Sequence, residues 1–284
     1  MKTRVISGIA VALILVGAAF GIWTPVWDIL FCLLAGAATY EVMKVAGIRY
    51  MPLRVVAVIF GALFPAVLIY LPQVWIIALY VFVVLLVYII LTLANNKEVL
   101  FKDMTISLYA TLLVPAGFAC VPIIANLYQM FPGQIDKYET FYMTFSVVVT
   151  ALLNDVFAYF IGSQLGKHKM TPVLSPHKSW EGAIGGIICD VIAMMLFLLI
   201  FVKCIYKKAF FMPAWLYGII VLITAVVSIY GDLIASFIKR NYGVKDYSHL
   251  IPGHGGIMDR FDSVILAAPT MFALTYLFAH FALV

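Results

Sequence analysis

The chain has 284 residues, of which 65% are hydrophobic and 11% charged, with a mean hydropathy of +1.10 and a formal net charge of +5. This composition lies outside the range of soluble globular chains and leaves no room for an independent water-exposed domain. Four dispersed cysteines, Cys32, Cys120, Cys189 and Cys204, lack CxxC spacing, so they read as small packing residues rather than a disulfide framework or zinc site.

Apolar runs of roughly 20 residues, the length a helix needs to cross a bilayer, recur along the chain and predict an all-α, polytopic integral membrane protein with about nine transmembrane helices. The predicted spans are 5–22, 26–46, 53–71, 74–94, 105–126, 141–163, 183–202, 214–237 and 263–283. The first follows Lys2 and Arg4 as a signal peptide would, but it is longer than the usual core of ~7–15 residues and is read as a retained span. Pro25, Pro52, Pro72, Pro132, Pro172 and Pro213 fall between spans, while Pro65, Pro115, Pro122 and Pro269 lie inside or near the ends and predict kinks. Trp23, Trp27, Trp75 and Trp215 sit at span ends, as an interfacial belt requires.

Nine spans place alternate connections on the same side. Counted that way, fourteen of the eighteen Lys and Arg residues face one side, and only Lys137, Lys203, Lys207 and Lys208 the other. The positive-inside rule makes the first side cytoplasmic, with the N-terminus inside and the C-terminus outside. The two most polar connections, 164–182 and 238–262, then face the cytoplasm. Residues 1–136 read as a scaffold of about five spans with no named site, Glu41 and Lys44 forming a local interfacial pair. Residues 137–284, about four spans, carry the polar groups that topology alone does not require. No internal repeat is evident, which argues against an inverted-repeat transporter.

Within the sixth span Asn154 and Asp155 are followed on one helical face by Tyr159 and Gly162; a carboxylate at that depth is costly and a functional candidate. Asp190 in the seventh span is also intramembrane, but no motif surrounds it. The connection between these spans, with Lys167, Lys178 and Ser179 before a helix, supplies cations, a hydroxyl and free N–H groups suited to phosphate, although many basic loops contain as much. In the eighth span Ser228, Asp232, Ser236, Lys239 and Arg240 form a polar stripe. It leads into Lys245, Asp246, His254, Gly255, Gly256, Asp259, Arg260 and Asp262. Asp259 and Asp262 would share a face if Met258 onward is helical. Asp232 and Asp259 are natural co-ligands for a hard cation such as Mg²⁺, and Gly255 and Gly256 let backbone amides approach an anion. Cations, glycines and carboxylates at a membrane surface are the parts that phosphoryl or nucleotidyl transfer uses.

At these residues the sequence resembles the phosphatidate cytidylyltransferases, or CDP-diacylglycerol synthases. Their signature, Ser-x-apolar-Lys-Arg, Lys-Asp, then His-Gly-Gly-x-x-Asp-Arg-x-Asp, is met by Ser236, Lys239, Arg240, Lys245, Asp246, His254, Gly255, Gly256, Asp259, Arg260 and Asp262 over 27 residues. The 154–186 region resembles the family more loosely, and the first five spans only in hydropathy. The resemblance implies an enzyme of a bacterial cytoplasmic or inner membrane, homodimeric, that condenses CTP with phosphatidate to CDP-diacylglycerol and pyrophosphate. It implies metal at Asp232 and Asp259, Mg²⁺ with room for a second, monovalent cation. The catalytic set is then Asp232, Asp259, Lys239, Arg240, Arg260 and Asp262. Lys167, Lys178, Ser179, Ser236, Lys245, Asp246, His254, Gly255, Gly256 and Asp155 bind substrate. Membrane lipid is a partner and nucleic acid is not. A CTP-dependent polyprenol or phytol kinase is the nearest alternative; an ion or lipid transporter would account for Asp155, Asp190 and Asp232 but not for the signature.

Overall fold

A computed structural model of the chain describes residues 17, 20–172, 174–251, 253 and 255–282. Among them eight helices are long and apolar enough to cross a membrane. They match the second to ninth predicted spans; the first, 5–22, lies almost entirely outside the described residues. The helices are α1 (Pro25–Val45), α2 (Met51–Tyr70) and α3 (Val74–Ala94), then α4 (Phe101–Leu108), which passes through a π-helical segment (Tyr109–Leu113) into α5 (Val114–Ala125). After α6 (Leu127–Met130) come α7 (Lys137–Leu165), α8 (Trp180–Ile200) with a second π segment (Phe201–Tyr206), α9 (Ala214–Asn241), α10 (Met258–Phe261) and α11 (Val264–Ala282). This is a membrane protein of the all-α class, built almost entirely of helices. Pro65, Pro122 and Pro269 lie within α2, α5 and α11, and Pro115 is the second residue of α5, just past the first π segment.

Several helices begin before their apolar runs because caps recruit the polar first turn. Pro25 and Pro52 stand at the starts of α1 and α2, where a missing N–H is harmless. Asp136 and Glu139 form a capping box on α7: Tyr138 N donates to Asp136 Oδ1 at 3.1 Å, and Asp136 N to Glu139 Oε2 at 2.8 Å. Ser179 caps α8, its Oγ accepting from Gly182 N at 3.2 Å. The polar connection before it, read as loop, is in fact an antiparallel hairpin of β1 (Lys169–Thr171) and β2 (Ser175–Ser179). Glu181 staples its base by accepting from His168 N at 3.2 Å and meeting His168 Nδ1 at 2.6 Å.

The chain divides into two compact units: Met1–Pro122 with Ile238–Phe261, and Ile123–Phe237 with Asp262–Val284. This packing division does not test the functional division expected at residue 136. In the first unit Thr39 joins α1 to the π segment, donating to Ala35 O at 2.9 Å and Ala110 O at 2.8 Å. Phe31, Phe118 and Phe261 pack in series with their rings tilted, centroids 6.4 and 5.2 Å apart. Helix α3 buries Val84 and Tyr88 and leaves Leu79, Phe82, Ile90 and Leu93 outward, as lipid contact requires.

In the second unit α7 and α8 approach through small residues. A Cβ on Gly182 would lie 2.6 Å from Ala158 O and 2.9 Å from Gly162 Cα, so the backbones nearly touch. Ala158-x3-Gly162 against Gly182-x3-Gly186 is the small-xxx-small solution for membrane helices, where apolar burial drives no association. Helix α9 is tied to α7 by polar bonds: Tyr217 OH to Ser146 Oγ at 2.9 Å and to Tyr142 OH at 3.0 Å, and Asn154 Nδ2 to Ala225 O and Ser228 Oγ, both at 3.0 Å.

Candidate functional site

The predicted site residues fall into both units. In the second, the close α7–α8 crossing brings Asp155, one turn before Tyr159, beside the end of β2. Asp155, Lys178, Ser179 and Asp232 line one cavity of about 270 Å³, with Tyr159, Ser175 and His177 on its wall. The Lys178 ammonium is paired with Asp232 Oδ2. Asp155 Oδ2 accepts from Ser263 Oγ at 3.0 Å. Gly231 makes this approach feasible: a Cβ there would lie 2.6 Å from Asp262 O and 3.3 Å from Ser263 Cα. The cavity thus holds two carboxylates against one lysine. Carboxylate and hydroxyl oxygens at that balance suit a hard divalent cation with phosphate oxygens completing its shell.

In the first unit the signature segment folds around Asp259. Its Oδ1 accepts from Lys239 Nζ at 2.8 Å, and its Oδ2 from Tyr247 N at 2.8 Å and Gly256 N at 2.9 Å. Both side chains of the Lys239–Asp259 pair are buried, 11% and 4% exposed, and the ammonium lies 5.3 Å from the Tyr247 ring centre. Gly255 has φ +85°, and a Cβ on it would come within 2.9 Å of Asp259 Oδ2.

Glu41 is the buried carboxylate whose partners reading along the chain missed. It is 2% exposed and accepts from Ser248 Oγ at 2.6 Å, Ile257 N at 3.0 Å and Met258 N at 2.8 Å. Its carboxylate occupies the space that a side chain at Gly256 would fill. The local pair expected with Lys44 is not what holds it; among the described residues no ion pair joins the two. One signal could have found it: a carboxylate inside an apolar span needs donors, and a flexible lysine three residues on is the weakest source.

The amides of the glycine loop are therefore partly committed. Three successive N–H groups, at Gly256, Ile257 and Met258, donate to protein carboxylates, which replaces the expected open anion cradle at Gly256 with an internally satisfied turn. Met258 begins a helix, the condition under which Asp259 and Asp262 would share a face, but Asp262 lies beyond its end, where its Oδ1 accepts from Ser263 N at 2.9 Å. Asp246 lines a different cavity of the first unit, about 570 Å³, with Lys44, Glu41, Ser248 and His249. Arg240, Lys245 and Arg260 are exposed, Arg240 donating to Val244 O at 3.1 Å. Lys167 is exposed at the hairpin base and Ser236 half-buried; His254 lies outside the described residues.

Comparison with known proteins bears on this arrangement. The chain is 41% identical over 144 residues to a phosphatidate cytidylyltransferase of Staphylococcus saprophyticus, an alignment covering 49% of this chain and 52% of that protein. It is 43% identical over 119 residues to a protein of the same name from Staphylococcus haemolyticus, and 42% identical over 119 residues to one from Staphylococcus aureus. Each of these covers 42% of this chain and 43% of the relative, so the matches span about half the length of these relatives. The profile described as the cytidylyltransferase family matches residues 2–278, nearly the whole sequence. The chain belongs to the cytidylyltransferase family.

Proposed function

We propose that the protein is a phosphatidate cytidylyltransferase, which condenses CTP with phosphatidate to give CDP-diacylglycerol and pyrophosphate in phospholipid biosynthesis. The observation that carries the proposal is the cavity where Asp155, Asp232, Lys178 and Ser179 meet, in a chain of this family. The names of the relatives support the substrate pair and do not favour the polyprenol or phytol kinase alternative.

The phosphatidate phosphate has a second pKa of about 6, so it is largely dianionic near neutral pH and needs no general base. A phosphate oxygen attacks the α-phosphorus of CTP; the new P–O bond forms as the α–β bridge breaks, and the electron pair leaves with pyrophosphate. Lys178 offers the N–H donors not given to Asp232 to a substrate phosphate. Ser263 holds Asp155 in one orientation towards the cavity. Lys239, Arg240, Lys245 and Arg260 share phosphate charge, Arg260 through its bidentate fork.

Magnesium is assigned in this proposal to Asp232 and Asp259. Asp232 fits because it shares its cavity with a second carboxylate. Asp259 fits because a carboxylate presents about four lone-pair directions and its three protein donors leave one. When bound, Mg²⁺ supplies charge neutralisation between the two anionic substrates and on the departing pyrophosphate. The same reading includes a homodimer, lipid contact, a bacterial cytoplasmic membrane and a cytoplasm-facing site; the fourteen-to-four cation asymmetry supports that orientation.

The test uses purified protein, phosphatidate and labelled nucleoside triphosphates, with and without Mg²⁺. The expected products are pyrophosphate and CDP-diacylglycerol, formed only with the metal. CDP with a phosphorylated alcohol would replace this function by the kinase reading.

A further inference from the structure

Three helices of the second unit share a buried polar layer that the proposed chemistry does not use. Asp190 on α8 is fully buried, and among the described residues neither carboxylate oxygen has a hydrogen-bond partner. Thr150 and Asn154 on α7 and Thr224 on α9 are also fully buried, and the two hydroxyls and Asn154 Oδ1 are likewise unpartnered.

The register of the helices brings these groups together. The Tyr142 hydroxyl donates to Met194 O at 3.1 Å, and a Cβ on Gly186 would meet Asn154 O at 3.0 Å. Helices α7 and α8 therefore run antiparallel, and Asp190, midway between residues 186 and 194, faces the level of residues 148–150. On α9, Tyr217 bonds Ser146, and Ala225 and Ser228 bond Asn154, which sets Thr224 at the level of residues 150–153. Asp190 lies ten residues into its helix, about 15 Å along the axis. Among the described residues Thr92 and Thr275 also have unpartnered hydroxyls, but Thr150 and Thr224 are the two that fall at the level of a buried carboxylate. Thr39, Thr144 and Thr270 all return their hydroxyls to the carbonyl four residues back, the ordinary solution in a helix. Thr150 and Thr224 do not.

We propose that Asp190, Thr150, Thr224 and Asn154 form a binding site for one alkali-metal cation, Na⁺ or K⁺, inside the second unit. The donors are all oxygen, which selects a hard ion. A single carboxylate makes the site neutral with one monovalent cation, whereas a divalent ion would leave a net charge at membrane depth. Among the described residues no group of three His, Cys, Asp or Glu side chains is present to balance such an ion. None of these oxygens has a hydrogen-bond partner among the described residues, which leaves their lone pairs for an ion. The site closes α7, α8 and α9 around one ion, at a level distinct from the Asp155–Asp232 cavity.

The test is thermal unfolding of the purified full chain in lipid nanodiscs, free of divalent ions, in NaCl, KCl or choline chloride of equal ionic strength. At a hundredfold excess over Kd, an alkali cation should raise the Tm of the wild type by about 5 °C relative to choline. Asp190→Asn keeps the shape, removes the charge and should abolish the difference. Should that variant fail to accumulate, Thr150→Val and Thr224→Val should each require more cation for the same shift. The proposal is overturned by a wild type indifferent to the cation, by a shift that survives Asp190→Asn, or by threonine variants that respond like the wild type. A shift lost in Asp232→Asn but kept in Asp190→Asn would move the ion to the catalytic cavity and overturn it too.

Discussion

The two carboxylate-bearing regions of this protein solve opposite problems. In the second unit Asp155 and Asp232 face a cavity, one held by a single serine hydroxyl and the other paired to a lysine. In the first unit Asp259 and Glu41 each accept three donors, mostly backbone amides of the segment they shape. Carboxylates of the first kind retain most of their coordination capacity. Those of the second kind chiefly fix a backbone path, Asp259 keeping one lone-pair direction, and removing one strands buried N–H groups at about 1–3 kcal/mol apiece. The difference predicts which substitutions remove activity alone and which remove activity together with stability.

The largest effect should come from Asp232→Asn. Turnover should fall by at least ~10³-fold, the order seen when one transition-state electrostatic group is lost, with Tm nearly unchanged. A steady-state assay beside a melting curve checks both, and near-normal turnover would remove Asp232 from the site. Asp259→Ala should also abolish turnover while the protein remains inserted, but with a lower Tm, because Lys239 is left buried without its partner at about 3–5 kcal/mol. An unchanged Tm there would erase the contrast between the regions.

Glu41→Gln comes next. It keeps one acceptor oxygen but sets an NH₂ against the Ile257 and Met258 amides, and should lower kcat by roughly tenfold to a hundredfold, about 1.4–2.7 kcal/mol. Slower exchange of those two amides in the variant than in the wild type, by hydrogen–deuterium exchange, would count against the brace. Ser263→Ala removes one hydrogen bond to a charged group and should reduce kcat about threefold to tenfold by loosening Asp155, with little effect on Tm. Lys245→Ala is the smallest: an exposed cation should change the KM for CTP by about twofold, and less at high salt.

Much of the site could be read along the chain because its groups lie in one segment: Lys239, Gly255, Gly256 and Asp259 belong to the same 27 residues and do pack around one another. Ser179 was legible as the residue before a helix, and it caps α8. Glu41 was not legible. Its donors lie 207 to 217 residues away, while Lys44 offered a nearer explanation. Ser263 was hidden for the same reason, its partner Asp155 being 108 residues distant. The hairpin in the 164–182 connection was missed because its strands are three and five residues long, too short for an alternating pattern to stand out.

Sequence by itself determined the helical membrane architecture, because a bilayer admits few backbones and demands runs of apolar residues to cross it. It also determined the span limits to within a few residues and the chemical class of the polar segment. Only the tertiary structure decided which carboxylates keep most of their lone pairs unshared and which spend most of them in holding the chain. That distinction depends on where donors arrive from other helices, and hydrogen bonds across a hundred or more residues leave no periodic trace in the order of amino acids.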